Sequence, residues 1–585
     1  MPAQASVEPR RRGREPGWWH LPLLLSGSIA YESLFLHHGI AWLFDEGWPL
    51  YAAMRLHEGG ALYRDTFFAF PPGHLLAAWV AYAIDPPGVI GARFVYAAFN
   101  VSLCAALYLL GRRLMPASFA WLAAALLAVA SPRGHLAHYL FGYRYLVFSV
   151  LTLLLFGRRL RTGNPLWMLP AGVCAGIALC FRLTPAFAVS CAVGIAAVSA
   201  DRNWRSWLRD GGWYGAGLLA AIAPCVVWLA TDPGVDVIWR EVITRVVGLQ
   251  SAQSLPVPEL ALPAAWDRQQ ILRWFVALQY RLYAALYLAY AATLLTLWIR
   301  SRVRRAPFPH ALLLAVVVWG GLYFLRTLGR SDESHLVSAI PPICLLLAHG
   351  LSKGFAAVPR LADPTLRGRA EMAIVAVALG AWIFLLGSDL YLDPARRGRH
   401  PLHTLNGSVA ISSRSKALDI DRVVAALRRS TRPGEQVLNL SPSPLFHVLA
   451  ERSGPGYFDV LMPGTFLDEG EELEFLAHLE QSPPAAVIWP EQPFDGMASR
   501  SIRRTAPHLA RWVEERYQGR GPRRRWMLMF PRNHLSDPKT GDPGLDPRSA
   551  AKEDLAFRGG NAGERTAQLL HEHFGARTRA DEVAR

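Results

Sequence analysis

Two adjacent carboxylates, Asp45 and Glu46, follow a long apolar segment in Trp42-Leu43-Phe44-Asp45-Glu46-Gly47-Trp48. A carboxylate can take a proton from a hydroxyl as a general base, or coordinate a divalent metal cation that organises a phosphate. Asp45 is the candidate for either task, with Glu46 as its neighbour. The structural alternative makes Asp45 the N-cap of a helix over 47–58. A third acid, Asp65, closes Gly59-Gly60-Ala61-Leu62-Tyr63-Arg64-Asp65, and Phe70-Pro71-Pro72-Gly73-His74 follows. The glycines end the preceding helix and the prolines open the next; an ordinary turn acid is the alternative for Asp65.

Cations that could accompany these acids come later. Arg182, in Phe181-Arg182-Leu183-Thr184-Pro185, lies between two apolar runs. An arginine there can grip a phosphate bidentately, or simply snorkel from a helix end. The string Arg326-Thr327-Leu328-Gly329-Arg330-Ser331-Asp332-Glu333-Ser334-His335 is dense in polar groups between two further apolar runs. Arg330 and His335 suit phosphate or sugar contacts and Asp332 can order either; a plain polar loop is the alternative.

The elements that must position these residues are helices in a membrane. Of 585 residues, 52% are hydrophobic and 18% charged, with a mean hydropathy of +0.19; soluble proteins carry about 25% charged residues. Apolar runs lie near 18–41, 88–111, 117–132, 137–157, 166–182, 184–200, 212–231, 275–299, 309–327, 335–351 and 371–391. This pattern reads as a polytopic α-helical membrane protein. The stretch 71–84 is shorter than the roughly 20 residues a span needs and reads as an interfacial or re-entrant helix.

Charge sets the expected orientation. The net charge of +16 does not argue for nucleic acid as a partner, because much of the basic charge lies in short loops between apolar runs. If 71–84 does not span, Arg112-Arg113, Arg158-Arg159-Arg161, Arg300 to Arg305 and Lys353 to Arg369 all share one side with the basic N-terminus. The positive-inside rule makes that side cytoplasmic. The expectation is about eleven spans in the cell membrane, the N-terminus inside, and the polar candidates together on the outer face. The divisions are a basic N-terminus over 1–17, a transmembrane domain over 18–391 with an outer loop 42–70, a small outer-face α/β domain over 392–535, and a disordered tail over 536–585. The first apolar run lacks a small-residue cleavage site and reads as a retained anchor. The six cysteines form no CxxC pair and read as small buried hydrophobes. Walker A and HExxH motifs are absent from the sequence.

Taken together, Asp45-Glu46-Gly47, Gly60-Ala61-Leu62-Tyr63-Arg64-Asp65, Pro71-Pro72-Gly73, Arg93 after Gly91, and Phe181-Arg182-Leu183-Thr184-Pro185 resemble the polytopic GT-C glycosyltransferases that use polyprenyl-phosphate sugars. The likeness is to bacterial relatives of protein mannosyltransferases and of the aminoarabinose transferase of lipid A. It covers about 18–391 by topology and the first third by motif. The resemblance implies a hexosyl- or pentosyltransferase taking a sugar from a polyprenyl-phosphate donor to a glycan, lipid or protein acceptor at the outer face. It implies Asp45 as base or metal ligand, Glu46 and Asp65 as further acids, and Arg182, Arg330, Asp332, His335, Tyr63 and Arg64 around the substrates. Arginine at 182 stands where that family commonly has lysine. The rival readings are a lipid or glycan transporter or flippase, and a non-enzymatic envelope assembly protein. A transporter calls for mid-span ionisable groups and two related halves.

Overall fold

The computed structural model describes residues 19–33, 36–38, 45–133, 143–201, 203–262, 268–336, 339–358, 363–391, 400–411, 413–520 and 525–532. The basic N-terminus expected over 1–17 and the tail expected over 536–585 lie outside the described residues.

The chain opens with α1 (His20–Ser33), α2 (Gly47–His57) and α3 (Gly73–Ile84), followed by α4 (Val89–Gly111), α5 (Ala117–Arg133), α6 (Val147–Thr162), α7 (Met168–Phe181), α8 (Leu183–Ala200) and α9 (Trp204–Thr231). Two short helices, α10 (Val235–Trp239) and α11 (Arg245–Ala252), are joined by a π-turn at Arg240–Thr244. Then come α12 (Arg268–Val303), α13 (Ala311–Thr327), the single turn α14 (Glu333–Leu336), α15 (Ile340–Ala356) and α16 (Pro364–Tyr391). Among the described residues, Val89–Gly111, Leu183–Ala200, Trp204–Thr231 and Arg273–Val303 are long and apolar enough to cross a membrane. On α9 and α12, Leu219, Val227, Leu288 and Leu295 are more than half exposed. That is costly in water and natural against lipid. The 12 residues of α3 rise about 18 Å, short of a hydrocarbon core of about 30 Å.

Beyond α16 the architecture changes. A two-stranded antiparallel ribbon, β1 (His400–Pro401) with β2 (Ala410–Ile411), precedes α17 (Arg414–Ser430). The chain continues through β3 (Val437–Asn439), α18 (Leu445–Ala450), α19 (Glu469–Gln481), β4 (Ala486–Pro490), α20 (Ile502–Thr505), α21 (Pro507–Arg516), β5 (Tyr517–Arg520) and β6 (Trp526–Pro531). The sheet order is β3-β4-β6-β5, with β3 and β4 parallel and the other pairs antiparallel.

Strand alternation sends side chains to two different cores. Leu438, Val487, Trp489 and Met529 pack with Phe475 and Leu479 of α19 and with Leu509 and Val513 of α21. Val437, Ile488, Leu528 and Phe530 face the other way, onto Ile420, Val424 and Leu427 of α17. That second core continues without a break into Trp48 and Leu50 of α2 and Phe67 of the loop that follows it. The sheet region is therefore built onto the loop that carries the acids.

The closest approach between the two explains a glycine. A Cβ on Gly47 would lie 2.3 Å from the backbone nitrogen of Leu445, at the start of α18. Only a residue without a side chain lets α2 begin against α18. Overpacking of this kind costs about 1–3 kcal/mol. Gly47→Ala should lower the thermal midpoint in detergent and speed proteolytic release of the region after α16. An unchanged midpoint and digestion pattern would show that the two parts are not seated on each other as described.

Candidate active site

The turn carrying Asp45 and Glu46 is held from below by α4. Arg93 donates from Nε to Glu46 Oε1 at 2.6 Å and from Nη2 to Oε2 at 2.8 Å, with both side chains at 1% exposure or less. Its Nη1 also donates to the Leu36 carbonyl at 2.7 Å, beyond α1. A carboxylate so deep needs a full partner, and Arg93 supplies it in bidentate geometry. Glu46 is thereby engaged in the protein itself. It also occupies the N-cap position of α2, without a side-chain cap bond, so the N-cap alternative for Asp45 is not what forms.

Asp45 is the other acid of this turn. Burial pushes its carboxyl up to about 7; Arg182 and Arg330 act against that shift, while Glu46 and Asp332 reinforce it. Arg182 sits at the α7–α8 junction in extended backbone, φ −156°, with its guanidinium 4.7 Å from the centre of the Phe70 ring. That contact brings the aromatic residue before Pro71-Pro72 over the arginine. Gly73 allows it, since a Cβ there would lie 2.7 Å from the Cys180 carbonyl. Beneath Arg182, the Tyr145 and Tyr323 hydroxyls hydrogen-bond at 3.0 Å.

The late loop contributes the second cation. Arg330 donates from Nε to Asp332 at 2.9 Å and from Nη1 to Gln253 Oε1 at 3.0 Å. Asp332 also accepts from the His335 backbone at 2.8 Å and its ring Nδ1 at 2.7 Å, so it orders both residues. Burial opposes ionisation of Asp332, but the His335 and Arg330 bonds hold its carboxyl well below the usual carboxylate range. Burial lowers the His335 pKa, with Asp332 only partly offsetting it.

Tyr63, Arg64 and Asp65 form a separate cluster. Tyr63 is buried with φ 64°, and its hydroxyl donates to the Phe70 carbonyl. Asp65 accepts from the Ala61 N–H at 2.8 Å and pairs with Arg64 at 2.9 Å, which holds Asp232 at 2.7 Å. The Arg64 bond is the first cause of its lowered pKa. These three residues shape and fasten the loop, and none contacts Asp45 among the described interactions. The sequence therefore assembles Asp45, Arg182, Arg330, Asp332 and His335 in one neighbourhood and leaves Tyr63, Arg64 and Asp65 in another.

As a metal site the arrangement fits poorly. Among the described residues no three His, Cys, Asp or Glu side chains gather to hold an ion. The acids nearest Asp45 are already bound, Glu46 by Arg93 and Asp332 by Arg330 and His335.

Two residues that matter here escaped the sequence reading. Arg500 and Asp495, on the loop after β4, reach the late loop: Asp495 Oδ2 accepts from Arg330 at 2.8 Å and from Arg500 at 2.6 Å. Nothing in Phe494-Asp495-Gly496 distinguishes it from a surface turn; only the fold brings it to Arg330.

This arrangement is that of a polytopic helical membrane protein with the GT-C fold. A family model described as dolichyl-phosphate-mannose-protein mannosyltransferase matches residues 70–229. The fold resembles that of ArnT from Cupriavidus metallidurans bound to undecaprenyl phosphate, at 14% identity and a TM-score of 0.52, covering 89% of this chain and 100% of that one. The apo form of the same protein gives 14% identity and a TM-score of 0.51 over 89% and 99% of the two chains. The archaeal oligosaccharyltransferase AglB from Archaeoglobus fulgidus, in complex with an inhibitory peptide and a dolichol-phosphate, aligns at 14% identity and a TM-score of 0.46, over 86% and 72%. Comparison with curated protein sequences gave no match.

Removing one partner of the Glu46–Arg93 pair strands a buried charge, at a cost of about 3–5 kcal/mol. Glu46→Gln and Arg93→Met should each lower the thermal midpoint sharply. The double variant Glu46→Met/Arg93→Met should recover much of the loss. Additive losses in this cycle would show that the pair is not coupled.

Proposed function

We propose that the protein is a membrane glycosyltransferase. In this reading it moves a hexosyl or pentosyl group from a polyprenyl-phosphate donor to a hydroxyl of a glycan, lipid or protein acceptor. The observation that carries it is the gathering of a buried acid, Asp45, with two arginines, Arg182 and Arg330, at the ends of membrane helices. ArnT, whose fold this chain shares, has been seen with undecaprenyl phosphate. That supports a lipid-linked donor here.

The chemistry follows from charge. The acceptor oxygen attacks the anomeric carbon, its proton passes to Asp45, and the bond from that carbon to the phosphate oxygen breaks. Single displacement inverts the anomeric configuration. The donor phosphate is a diester with one negative charge; the leaving polyprenyl phosphate is a monoester that gains a second. Positive groups already fixed where that charge develops lower the barrier. Arg182 and Arg330 are suited to this, and no resident metal ion is required by the reading. A base whose pKa lies near the working pH is efficient as well, and burial gives Asp45 that value.

Orientation belongs to the same proposal. About eleven spans with the basic loops cytoplasmic put Asp45, Arg182, Arg330 and the region after α16 on the outer face. In that reading, the sheet region over 392–535 roofs the site and shapes the acceptor's entrance.

Three outcomes are expected with purified protein and a polyprenyl-phosphate sugar. Asp45→Asn should lower kcat by about 10²-fold or more, while undecaprenyl phosphate still binds. A transporter or an assembly protein would not depend on this acid for transfer, so retained transfer removes the catalytic role. The kcat/KM of the wild type should fall about tenfold per pH unit below about 7. The raised pKa means that the Asp45 carboxyl favours the folded state below its ordinary value of 3.8 and gives that contribution up as pH rises through about 7. The loss of rate on acidification is therefore separable from unfolding at this group. Chelation with EDTA should leave the rate within about twofold, whereas an essential metal would abolish it.

A further inference from the structure

Arg330 has three acceptors from three parts of the chain: Asp332 on its own loop, Gln253 after α11, and Asp495 on the loop after β4. A phosphate that uses Arg330 must displace at least one of them. Gln253 is tied further, its amide donating to the Pro463 carbonyl at 3.3 Å. Asp332 is held by His335 as well. Asp495 differs in having a second cation on the same oxygen. Its Oδ2 lies 2.8 Å from Arg330 and 2.6 Å from Arg500. Arg500 is anchored independently, its Nη2 donating to the Ser254 carbonyl at 3.0 Å, and its side chain is 7% exposed. Asp495 can therefore leave Arg330 without becoming an unpaired charge.

The backbone at this point is unusual too. Asp495 has φ 54° and ψ 16°, a left-handed conformation that a residue with a side chain adopts at a cost. Gly496 follows it, also at positive φ. The strained turn carries the carboxylate to the two arginines, with the Phe494 ring 5.8 Å from the Arg330 guanidinium.

We propose that Asp495 is a positioning residue that occupies the place of the donor's phosphate at Arg330, and that donor binding exchanges one anion for the other. Arg330 passes from Asp495 to the phosphate, and Asp495 passes wholly to Arg500. No covalent bond changes: Arg330 keeps Asp332 throughout and exchanges Asp495 for the phosphate, and Arg500 keeps Asp495. The exchange loosens the loop after β4 from the late loop when donor is present, which couples donor occupancy to the sheet region. This inference rests on the reading of Arg330 as a ligand of the donor phosphate.

The test measures the affinity of full-length protein in detergent for undecaprenyl phosphate, with undecaprenol as the uncharged control. Asp495→Asn removes the competing charge and should tighten undecaprenyl phosphate binding about three- to tenfold. Arg500→Met leaves Asp495 bearing on Arg330 alone and should weaken it by a similar factor, with Arg500→Lys restoring most of the loss. Undecaprenol binding should be unmoved in all three. A purely structural stitch would make both Asp495→Asn and Arg500→Met weaken binding, or move undecaprenol equally; either result overturns the exchange. Wild-type protein that fails to bind undecaprenyl phosphate at all would instead overturn the donor reading beneath it. Should Asp495→Asn not fold, Arg500→Met would still have to weaken binding while Arg500→Lys stays near wild type, and equal weakening by both would sink the idea.

Discussion

The buried pair between Glu46 and Arg93 is the constraint on which the site depends. Two adjacent acids leave the first apolar helix, and they cannot both remain charged and idle at a membrane edge. Arg93 resolves this by taking Glu46 completely, with both carboxylate oxygens engaged, and by tying the Leu36 carbonyl with its remaining nitrogen. One guanidinium thus fastens the chain beyond α1, the acidic turn and α4 to each other. Such a pair gains little net stability after desolvation. What it fixes is position: with Glu46 pinned, the turn holds Asp45 where the charges of Arg182 and Arg330 act on it.

That positioning is shared with the sheet region. The core that contains Trp48 and Phe67 also contains Ile488, Leu528 and Phe530, so the acidic loop is clamped between membrane helices and a sheet. A second buried network repeats the principle further along. Arg245 of α11, fully buried, bonds Glu241 and Glu471 and donates to the Thr465 carbonyl at 2.6 Å. It joins the long loop after α9 to the start of α19. Loops that would otherwise move independently are thereby held as one assembly, the condition for electrostatic groups to be preorganised rather than recruited.

The sequence made much of this legible, for physical reasons that differ by residue. Helices in lipid must satisfy their own backbone and bury an apolar run, so α4, α8, α9 and α12 appear in composition alone. In the sequence, 419–429 reads as an amphipathic helix and 436–440 and 485–489 as short buried strands; α17, β3 and β4 form there, because amphipathic period and short β-branched runs are local signals. Asp45, Arg182 and Arg330 stood out because charge at an apolar boundary is rare. Local signals fail where pairing is distant. Glu46 looks like Asp45's equal until Arg93, 47 residues away, is seen to hold it. Asp65 looks like a third acid of the site until Arg64 and the Ala61 N–H claim it. Asp495 is an ordinary turn residue until a contact across 165 residues gives it meaning.

The two arginines near Asp45 are held in different ways, and the difference bears on what each can do. Arg182 lies against an aromatic ring at a helix junction, with tyrosine hydroxyls below it. The charged groups that act on it are Arg326 and Asp45. Arg330 is held by two carboxylates and an amide, so much of its charge is already answered. A site built only of the first kind would set one acid, Asp45, against two loosely held cations in low dielectric, which is expensive without substrate. A site built only of the second would give a phosphate little reason to enter. One cation set against an aromatic ring and one held by acceptors that have other partners lets the resting protein remain balanced while still offering two positive charges to a leaving phosphate. On this argument Arg182 supplies the attraction and Arg330 the charge that becomes available once an anion has arrived.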